Sequence, residues 1–472
     1  MNLRASTGPT IKVRSTFLLA LPLLILSILF LMTPYPYLSL LIPIGVALLT
    51  GVSGRISLLF YLVIITIPFF KFRTLSQQYQ FLKLDYIITA VLLLIIIGKI
   101  ISEKKLPEEL KTRLWIFLGL FLLVNLISSL LSPYMASAFS GFNTLIIAYT
   151  FVAICLICVD KKGFESILPL VICASSALAA IIGAMSYILK IEPLLSPIEG
   201  GYRAEGVTSG ANNMALMCIF CLPIISHFLL YSQRLIIKIV YGCILACILS
   251  GLITSFSRGG FIIGSIIILL IFIQNRKVIT IRNFGLFIAF TGLFVFFVTV
   301  SLPEEYLLRQ KSLTKGTQAD TSTQRRALYL KVGIRSFKSH PLLGTGTYTF
   351  PNIWASSIEA KWFRVEPRPA HNTYMDVLVG TGLVGLSAFV LILYYSYRSF
   401  SLAQNLAIEK GNNLLASLIG SYKLSFLSIV IYFFFKSAVE HKLFLISLAL
   451  SALSLRFAKS EDMGNALQFR DS

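Results

Sequence analysis

The stretch Pro369-Ala370-His371-Asn372-Thr373-Tyr374-Met375-Asp376-Val377-Leu378-Val379-Gly380-Thr381-Gly382-Leu383-Val384-Gly385-Leu386 decides how this chain folds. It closes the one long polar segment of the sequence and opens an apolar run that continues to about Tyr397, long enough to cross a bilayer as a helix. His371 is therefore expected at a water–membrane boundary. Asn372 or Thr373 can cap the new helix, which sets the imidazole beside unpaired N–H groups and the positive end of the helix dipole. Such a place attracts anions and keeps an imidazole neutral, ready to act as a base. The same position also suits a histidine that only caps or hydrogen-bonds the helix end.

Outward from that stretch the composition is 56% hydrophobic and 13% charged, with a mean hydropathy of +0.83. A soluble globular chain does not reach these values. The expected fold class is an all-α polytopic membrane protein of about 12–14 transmembrane helices with one long, partly helical periplasmic loop. Apolar runs fall at roughly 17–32, 37–52, 55–70, 84–101, 114–131, 139–158, 165–189, 212–231, 235–255, 259–274 and 283–302, and after the polar segment at roughly 371–397, 413–435 and 442–457. Cys155, Cys158, Cys173, Cys218, Cys221, Cys243 and Cys247 all lie inside these runs, so the two Cys-x-x-Cys pairs read as small membrane hydrophobes rather than redox or zinc sites.

Arg4, Lys12 and Arg14 precede the first run, which reads as an uncleaved signal-anchor starting in the cytoplasm. Alternation from there places Arg55, the cluster from Lys99 to Arg113, Lys161-Lys162, Arg234, Arg276-Lys277 with Arg282, Arg398 with Lys410, and Arg456 with Lys459 on the cytoplasmic side. Lys71, Arg73 and Lys83 are a small exception. The domains expected are N-terminal spans over 1–302, a periplasmic loop domain over 303–370, C-terminal spans over 371–459 and a disordered cytoplasmic tail over 460–472. The formal charge of +21 does not point to nucleic acid, because most of it is accounted for by membrane topology.

Three cationic features fall on the outer side, against the trend. They are the link Lys190 to Ala211 with Tyr202-Arg203-Ala204-Glu205-Gly206, the turn Ser255-Phe256-Ser257-Arg258-Gly259-Gly260, and the segment from Pro303 to Ala370. In the last, Thr321, Ser322 and Thr323 can start a helix whose apolar face would be Ala327, Leu330, Ile334 and Phe337, with Arg325 and Arg326 in its first turns. Arg258 is costly in lipid unless it snorkels to phosphates or faces the bundle interior and grips an anion, and Gly259 and Gly260 would leave room for that anion. Arg325, and Arg203 with it, would complete a cationic cradle around His371. Glu304, Glu305, Asp320, Glu359 and Glu366 are dispersed, so neither metal nor cofactor is expected there. Two arginines and a histidine suit group transfer from a phosphorylated donor, with guanidinium groups carrying the leaving-group charge.

The Ser-Arg-Gly turn, the arginine opening a helix that leads to His340-Pro341-Leu342-Leu343-Gly344-Thr345-Gly346, and His371-Asn372-Thr373-Tyr374 leading to Gly382-Leu383-Val384-Gly385-Leu386 together resemble the O-antigen ligase and O-antigen polymerase superfamily. The motif-bearing part covers roughly Gly201 to Leu386. The resemblance implies a GT-C-like enzyme of the bacterial inner membrane that moves a glycan from undecaprenyl diphosphate to an acceptor on the periplasmic face. It further implies His371 as the essential histidine, Arg258 and Arg325 as holders of the donor diphosphate, and Arg203 at a further family position. The acceptor would be the lipid A core for a ligase and another glycan repeat for a polymerase; ligase is preferred narrowly. A rival of another class is a transporter or flippase of lipid-linked glycan, which would show paired repeats, interrupted helices and charges near mid-membrane.

Overall fold

The computed structural model describes residues 56–72, 84–198, 201–276, 321–363 and 366–468. The apolar runs expected at 17–32, 37–52 and 283–302, and the start of the long polar segment, lie outside the described residues. The chain divides into two compact units, Met1–Lys105 and Leu106–Ser472. In the first, α1 (Ile56–Thr66) packs on α2 (Leu84–Glu103).

The second unit holds α3 (Leu114–Leu130), α4 (Met135–Cys158) and α5 (Leu168–Ile188), which follows a π-helical turn at Gly163–Ile167. A two-stranded antiparallel hairpin of β1 (Leu195–Ile198) and β2 (Gly201–Ala204) comes next. Then follow α6 (Ala211–Tyr231), α7 (Leu235–Thr254), α8 (Arg258–Asn275), α9 (Thr321–Ser339), α10 (Phe350–Ser356), α11 (Ile358–Phe363), α12 (Thr373–Glu409), α13 (Asn413–Tyr432) and α14 (Lys442–Gln468). Among the described residues nine helices are long and apolar enough to cross a membrane, and α1 and α3 are shorter apolar helices. The protein is thus an all-α polytopic membrane protein. Helix α6 sits at the middle of one helix group, against α5, α7, α8 and α13, while α12 joins α3, α13 and α14. Cys155, Cys158, Cys173, Cys218 and Cys221 are buried thiols within these helices, as small packing residues should be.

Two helix ends differ from the sequence expectation. Helix α12 runs on past Tyr397 to Glu409, because Phe400, Ala403 and Ala407 continue a fully buried stripe at helical spacing beyond the apolar run. Helix α14 continues to Gln468, through the segment from Ser460 that had suggested a disordered tail; the stretch contains no proline, and Glu461, Met463, Ala466, Leu467 and Gln468 are good helix formers.

The sequence repeat of small residues around Gly344 and Gly382 explains how the polar segment is fastened. Helix α12 breaks at Gly382, whose φ of 64° and ψ of −164° are non-helical, leaving backbone groups without their usual partners. The segment Pro341–Gly346 supplies them: Thr345 N donates to Val379 O at 3.0 Å, Gly346 N to Gly380 O at 2.8 Å, and Leu383 N to Pro341 O at 2.9 Å. Irregular backbone at such depth is tolerated only where protein satisfies it. A Cβ at Gly382 would collide with Leu342 O, so the glycine is needed both for its φ and for this approach.

Helix α3 fixes the other side of the same segment. Asn125, Ser128, Ser129 and Ser132 form a polar stripe at helical spacing. Ser128 Oγ donates to Leu343 O (2.6 Å) and Gly380 O (2.7 Å), and Ser132 Oγ to Thr345 O at 2.5 Å. Thr347 Oγ1 donates to Asn125 Oδ1 at 2.8 Å. The His-Pro-Leu-Leu-Gly-Thr-Gly stretch is therefore a scaffold clamp between a broken helix and a polar helix face.

Candidate active site

His371 is held by bonds on both sides of it. Asn372 caps α12 by accepting from Met375 N at 3.0 Å, and Asp376 Oδ1 accepts from Ala370 N at 3.1 Å. Thr373, the other expected cap, instead fastens the helix start to the turn after α13: its N–H donates to Phe433 O at 2.8 Å and its hydroxyl to Lys436 O at 2.6 Å. Between these ties His371 takes a φ of 53°, in the left-handed region. That conformation costs a side-chain-bearing residue about 1–2 kcal/mol, so the surroundings determine where the imidazole points.

The imidazole stands against Tyr329 of α9, with ring centroids 5.9 Å apart and planes tilted by 35°. Tyr329 is 2% exposed and is itself wedged edge-on against Trp354, at 4.5 Å. With Val332, Phe350, Ala360, Ala370 and Val379 it forms a small apolar core that joins α9–α11 to the start of α12. Gly333 completes the fit, since a Cβ there would meet Met375 Sδ at 2.6 Å. Helix α9 is described from Thr321 onward, with the Thr-Ser-Thr run inside it. Its buried face is a correction, however: Tyr329 and Val332 are buried, while the expected face is open, with Leu330 and Ile334 exposed. One tyrosine recruited by Trp354 and His371 outweighs a stripe of aliphatic residues. Glu359 of α11 locks the opposite side of α9 through Arg335 (2.5 Å) and Lys331 (3.6 Å).

Three further elements bring guanidinium groups to this end of the bundle. Arg258 is the first residue of α8, behind a rigid turn in which Ser257 caps the helix by accepting from Gly260 N at 3.2 Å and Phe256 packs edge-on against Tyr187 at 5.0 Å. The adjacent glycines do not open an anion space. A Cβ at Gly259 would meet the Phe435 ring at 3.2 Å and one at Gly260 would meet Ala215 Cβ at 2.8 Å, so both serve close helix packing.

Arg203 lies on β2, opposite Ser196 in register. The hairpin is pressed onto α5 at Gly206, where a Cβ would come within 2.9 Å of Gly183 Cα. Burial lowers the Arg203 pKa, with Tyr432 and Glu205 acting in the opposite sense. Among the described residues its buried Nε has no hydrogen-bond partner.

Arg325 and Arg326 occupy the first turns of α9, and their roles separate. Arg326 is the common neighbour: its charge acts on Arg203, on Arg258, on Tyr432 and on His371. Its own pKa is lowered by burial and by Arg325. Arg325 acts on Arg326 and, behind Arg326 and Arg368, on His371. Sequence reading named Arg325, but the residue at the centre of the group is Arg326. Tyr432 was missed as well. Its hydroxyl donates to Asn212 O at 2.9 Å and lies 3.4 Å from Ser257 Oγ, so it ties the ends of α13, α6 and α8 together beneath the arginines.

Burial first, and then repulsion by Arg326, Arg368, Arg325 and Lys436, holds the His371 pKa down at about 4. The imidazole is therefore neutral across the physiological range, as expected for a base, although cationic side chains contribute to this state where the sequence pointed to the helix dipole. Lys436 is itself depressed to about 8 by burial, with Glu440 acting to raise it. Glu440 also accepts from Tyr348 Oη at 2.8 Å. The charged link after Tyr432 was the sequence signal for this side of the site, and it went unread. Among the described residues no group of three or more His, Cys, Asp or Glu could hold a metal ion.

The fold and this cluster define a multi-pass membrane protein whose neutral histidine and converging guanidinium groups gather at one end of a helix bundle. Residues 242–390, about a third of the chain, are similar to the family described as O-antigen ligase, and this match supports the resemblance read from the motifs. The matched stretch contains Arg258, Arg325, Arg326 and His371 and excludes Arg203 and Tyr432. No curated protein matches the chain.

Proposed function

We propose that the chain transfers a glycan from undecaprenyl diphosphate to an acceptor sugar hydroxyl at the periplasmic face of the inner membrane, in the manner of an O-antigen ligase. The observation that carries this reading is that Arg326 acts at once on Arg203, on Arg258 and on a neutral His371. Guanidinium groups that repel one another and are partly stripped of water are suited to an anion with several oxygens spread over several ångströms, such as a diphosphate.

In the reaction the acceptor hydroxyl oxygen attacks the anomeric carbon from the face opposite the diphosphate, giving inversion. The hydroxyl proton passes to the free imidazole nitrogen of His371, the new C–O bond forms, and the bond to the diphosphate oxygen breaks with its electron pair. Arg203, Arg258 and Arg326 stabilise the charge that grows on the leaving diphosphate, so no divalent ion is required. The bound donor also cancels part of the cationic field that lowers the His371 pKa. The base is thus strengthened by the arrival of its own substrate.

The surface polysaccharide of a deletion strain, analysed together with its lipid-linked intermediates, tests the reading. Complete chains stranded on the lipid carrier are the expected result. Single repeat units stranded there would assign the polymerase reaction, and an unchanged surface polysaccharide with no stranded intermediate would overturn the proposal.

A further inference from the structure

On the half of the bundle away from His371, one ammonium group is carried by the middle of a span. Lys423 is the eleventh of the 20 residues of α13, about 15 Å of helix from either end. Among the described residues it meets no carboxylate: its Nζ donates to Gln404 Oε1 of α12 at 2.6 Å and stands 5.8 Å from the centre of the Tyr397 ring. The apolar runs at 17–32, 37–52 and 283–302 contain no Asp or Glu, so they bring no counter-charge to that depth. A lysine in a span is costly unless another group answers its charge.

The neighbours of this ammonium are donors as well. A Cβ at Gly420, one helical turn earlier on α13, would meet Gln274 Nε2 of α8 at 2.5 Å and Gln404 Nε2 at 2.6 Å, so both side-chain amides lie over that glycine with their nitrogens together. Gln404 gives its carbonyl oxygen to Lys423, and neither amide nitrogen has an acceptor among the described residues. Two amide nitrogens, and an ammonium that uses one of its three N–H groups on a neutral oxygen, make a donor set without an anion. Gln274 is next to last in α8, about 24 Å of helix from Arg258, so the lysine stem runs from mid-span toward the far end of the spans, where the exposed Arg276 follows. Tyr397 is 40% exposed and Lys423, Gln274 and Gln404 are half-buried, so the groove over α13 between α8 and α12 is open to its surroundings, which in a span are lipid.

We propose that this groove holds the phosphate of an anionic phospholipid from the leaflet opposite the His371 site, with the Lys423 ammonium on one phosphate oxygen and the amide nitrogens of Gln274 and Gln404 as donors to the others. The chemistry selects that occupant. A membrane-resident ligand reaches a groove at the end of spans, its phosphate supplies the negative charge that Lys423 lacks, and its several oxygens take the donors that have no acceptor. A net-neutral headgroup brings its own cation to the same place, beside Lys423 and Arg276, and is disfavoured.

Purified full-length protein is exchanged into nanodiscs of phosphatidylcholine mixed with phosphatidylglycerol of the same acyl chains, and the lipid retained on release is counted by native mass spectrometry. The wild type should retain phosphatidylglycerol beyond its share of the mixture. Lys423→Gln, which removes the charge and keeps a polar end, should weaken that retention roughly tenfold, Gln274→Leu should weaken it by a smaller factor, and Lys423→Arg should keep most of it. In a second arm, phosphatidylglycerol with a photoreactive diazirine near its headgroup is cross-linked to the wild type and the adducts are mapped by peptide. Adducts at the Gln274 end of α8, around Gln404 and around Lys423 support the site even if a variant fails to fold. Adducts confined to other segments overturn the proposal, as does retention without preference for phosphatidylglycerol or a folded Lys423→Gln protein that retains it like the wild type. Both readouts are taken without any glycan substrate, so this proposal and the transferase reading can fail separately.

Discussion

Replacing Arg326 by Gln separates the residue at the centre of the cationic group from its neighbour in the chain. The substitution removes one charge-assisted partner of the diphosphate, worth about 1.5–3 kcal/mol, or roughly tenfold to a hundredfold in kcat/KM. Relief of the repulsion on Arg203 and Arg258 offsets part of the loss, which sets the expectation toward the lower end. A second effect has a definite sign. With His371 as the proposed base, the acid limb of kcat/KM reports this residue in the free enzyme, and its pKa of about 4 reflects burial first and Arg326 second. Activity should hold from neutral pH downward and fall as protons bind near pH 4. Without Arg326 the limb should move upward, yet stay below the unperturbed value of about 6.5 because burial persists. Arg325→Gln should move it less, since Arg325 ranks behind Arg368 among the causes. Both quantities come from initial rates of transfer measured across pH with purified full-length protein. A larger loss in Arg325→Gln than in Arg326→Gln, or a limb that stays fixed in Arg326→Gln, would refute the placement of Arg326.

His371→Ala should lower turnover by about 10²–10⁴-fold while donor binding stays nearly intact, as checked by single-turnover rates beside a binding titration. Gly382→Ala should destabilise the fold by about 2–5 kcal/mol, from the φ of 64° and from overlap with Leu342 O, seen as a lower unfolding midpoint in detergent. Transfer should continue undiminished in a strong chelator; a loss restored by Mg²⁺ would show that the guanidinium groups do not suffice. A cysteine at the exposed Glu366 should react with a membrane-impermeant thiol reagent in spheroplasts and one at Gly411 should not, while Thr347 is a poor reporter because it is buried against Asn125.

Periodicity and charge made the helices legible, because a run of apolar residues of bilayer length has few alternatives. The position of His371 could be read for the same reason: it stands where a polar segment becomes a span, and Asn372 does cap that span. What failed was the reading of faces. In α9 the aliphatic stripe of Ala327, Leu330 and Ile334 was the stronger periodic signal, yet Tyr329 takes the interior because Trp354 and His371, distant in sequence, supply its ring contacts. Arg325 and Arg326 are adjacent and chemically identical, so only burial and neighbours separate them. Tyr432 and Lys436 were hidden because their importance depends on Asn212, Ser257 and Thr373, which the chain brings near only after folding. The stripe of Asn125, Ser128, Ser129 and Ser132 was visible at helical spacing in an apolar run and, with the charged link after Tyr432, was an unread local signal.

The mutual repulsion at this end of the bundle has a cost that the fold sustains before any substrate arrives. Among the described residues Arg326 has a tyrosine hydroxyl and no carboxylate acting to offset its charge, and Glu205 offsets part of the charge at Arg203. The elements that carry these charges are separately fastened: β2 at Gly206, α8 by its Ser257 cap, α9 by Tyr329 and Glu359. They cannot relax apart without breaking those ties. On the proposed mechanism, a diphosphate entering such a frame relieves the repulsion that Arg326 exerts on Arg203 and Arg258 and cancels part of the field on His371 in the same step. Donor affinity and base strength are then two readings of one electrostatic quantity, which is why the arginine substitutions are expected to displace the pH profile of the histidine as well as to weaken binding.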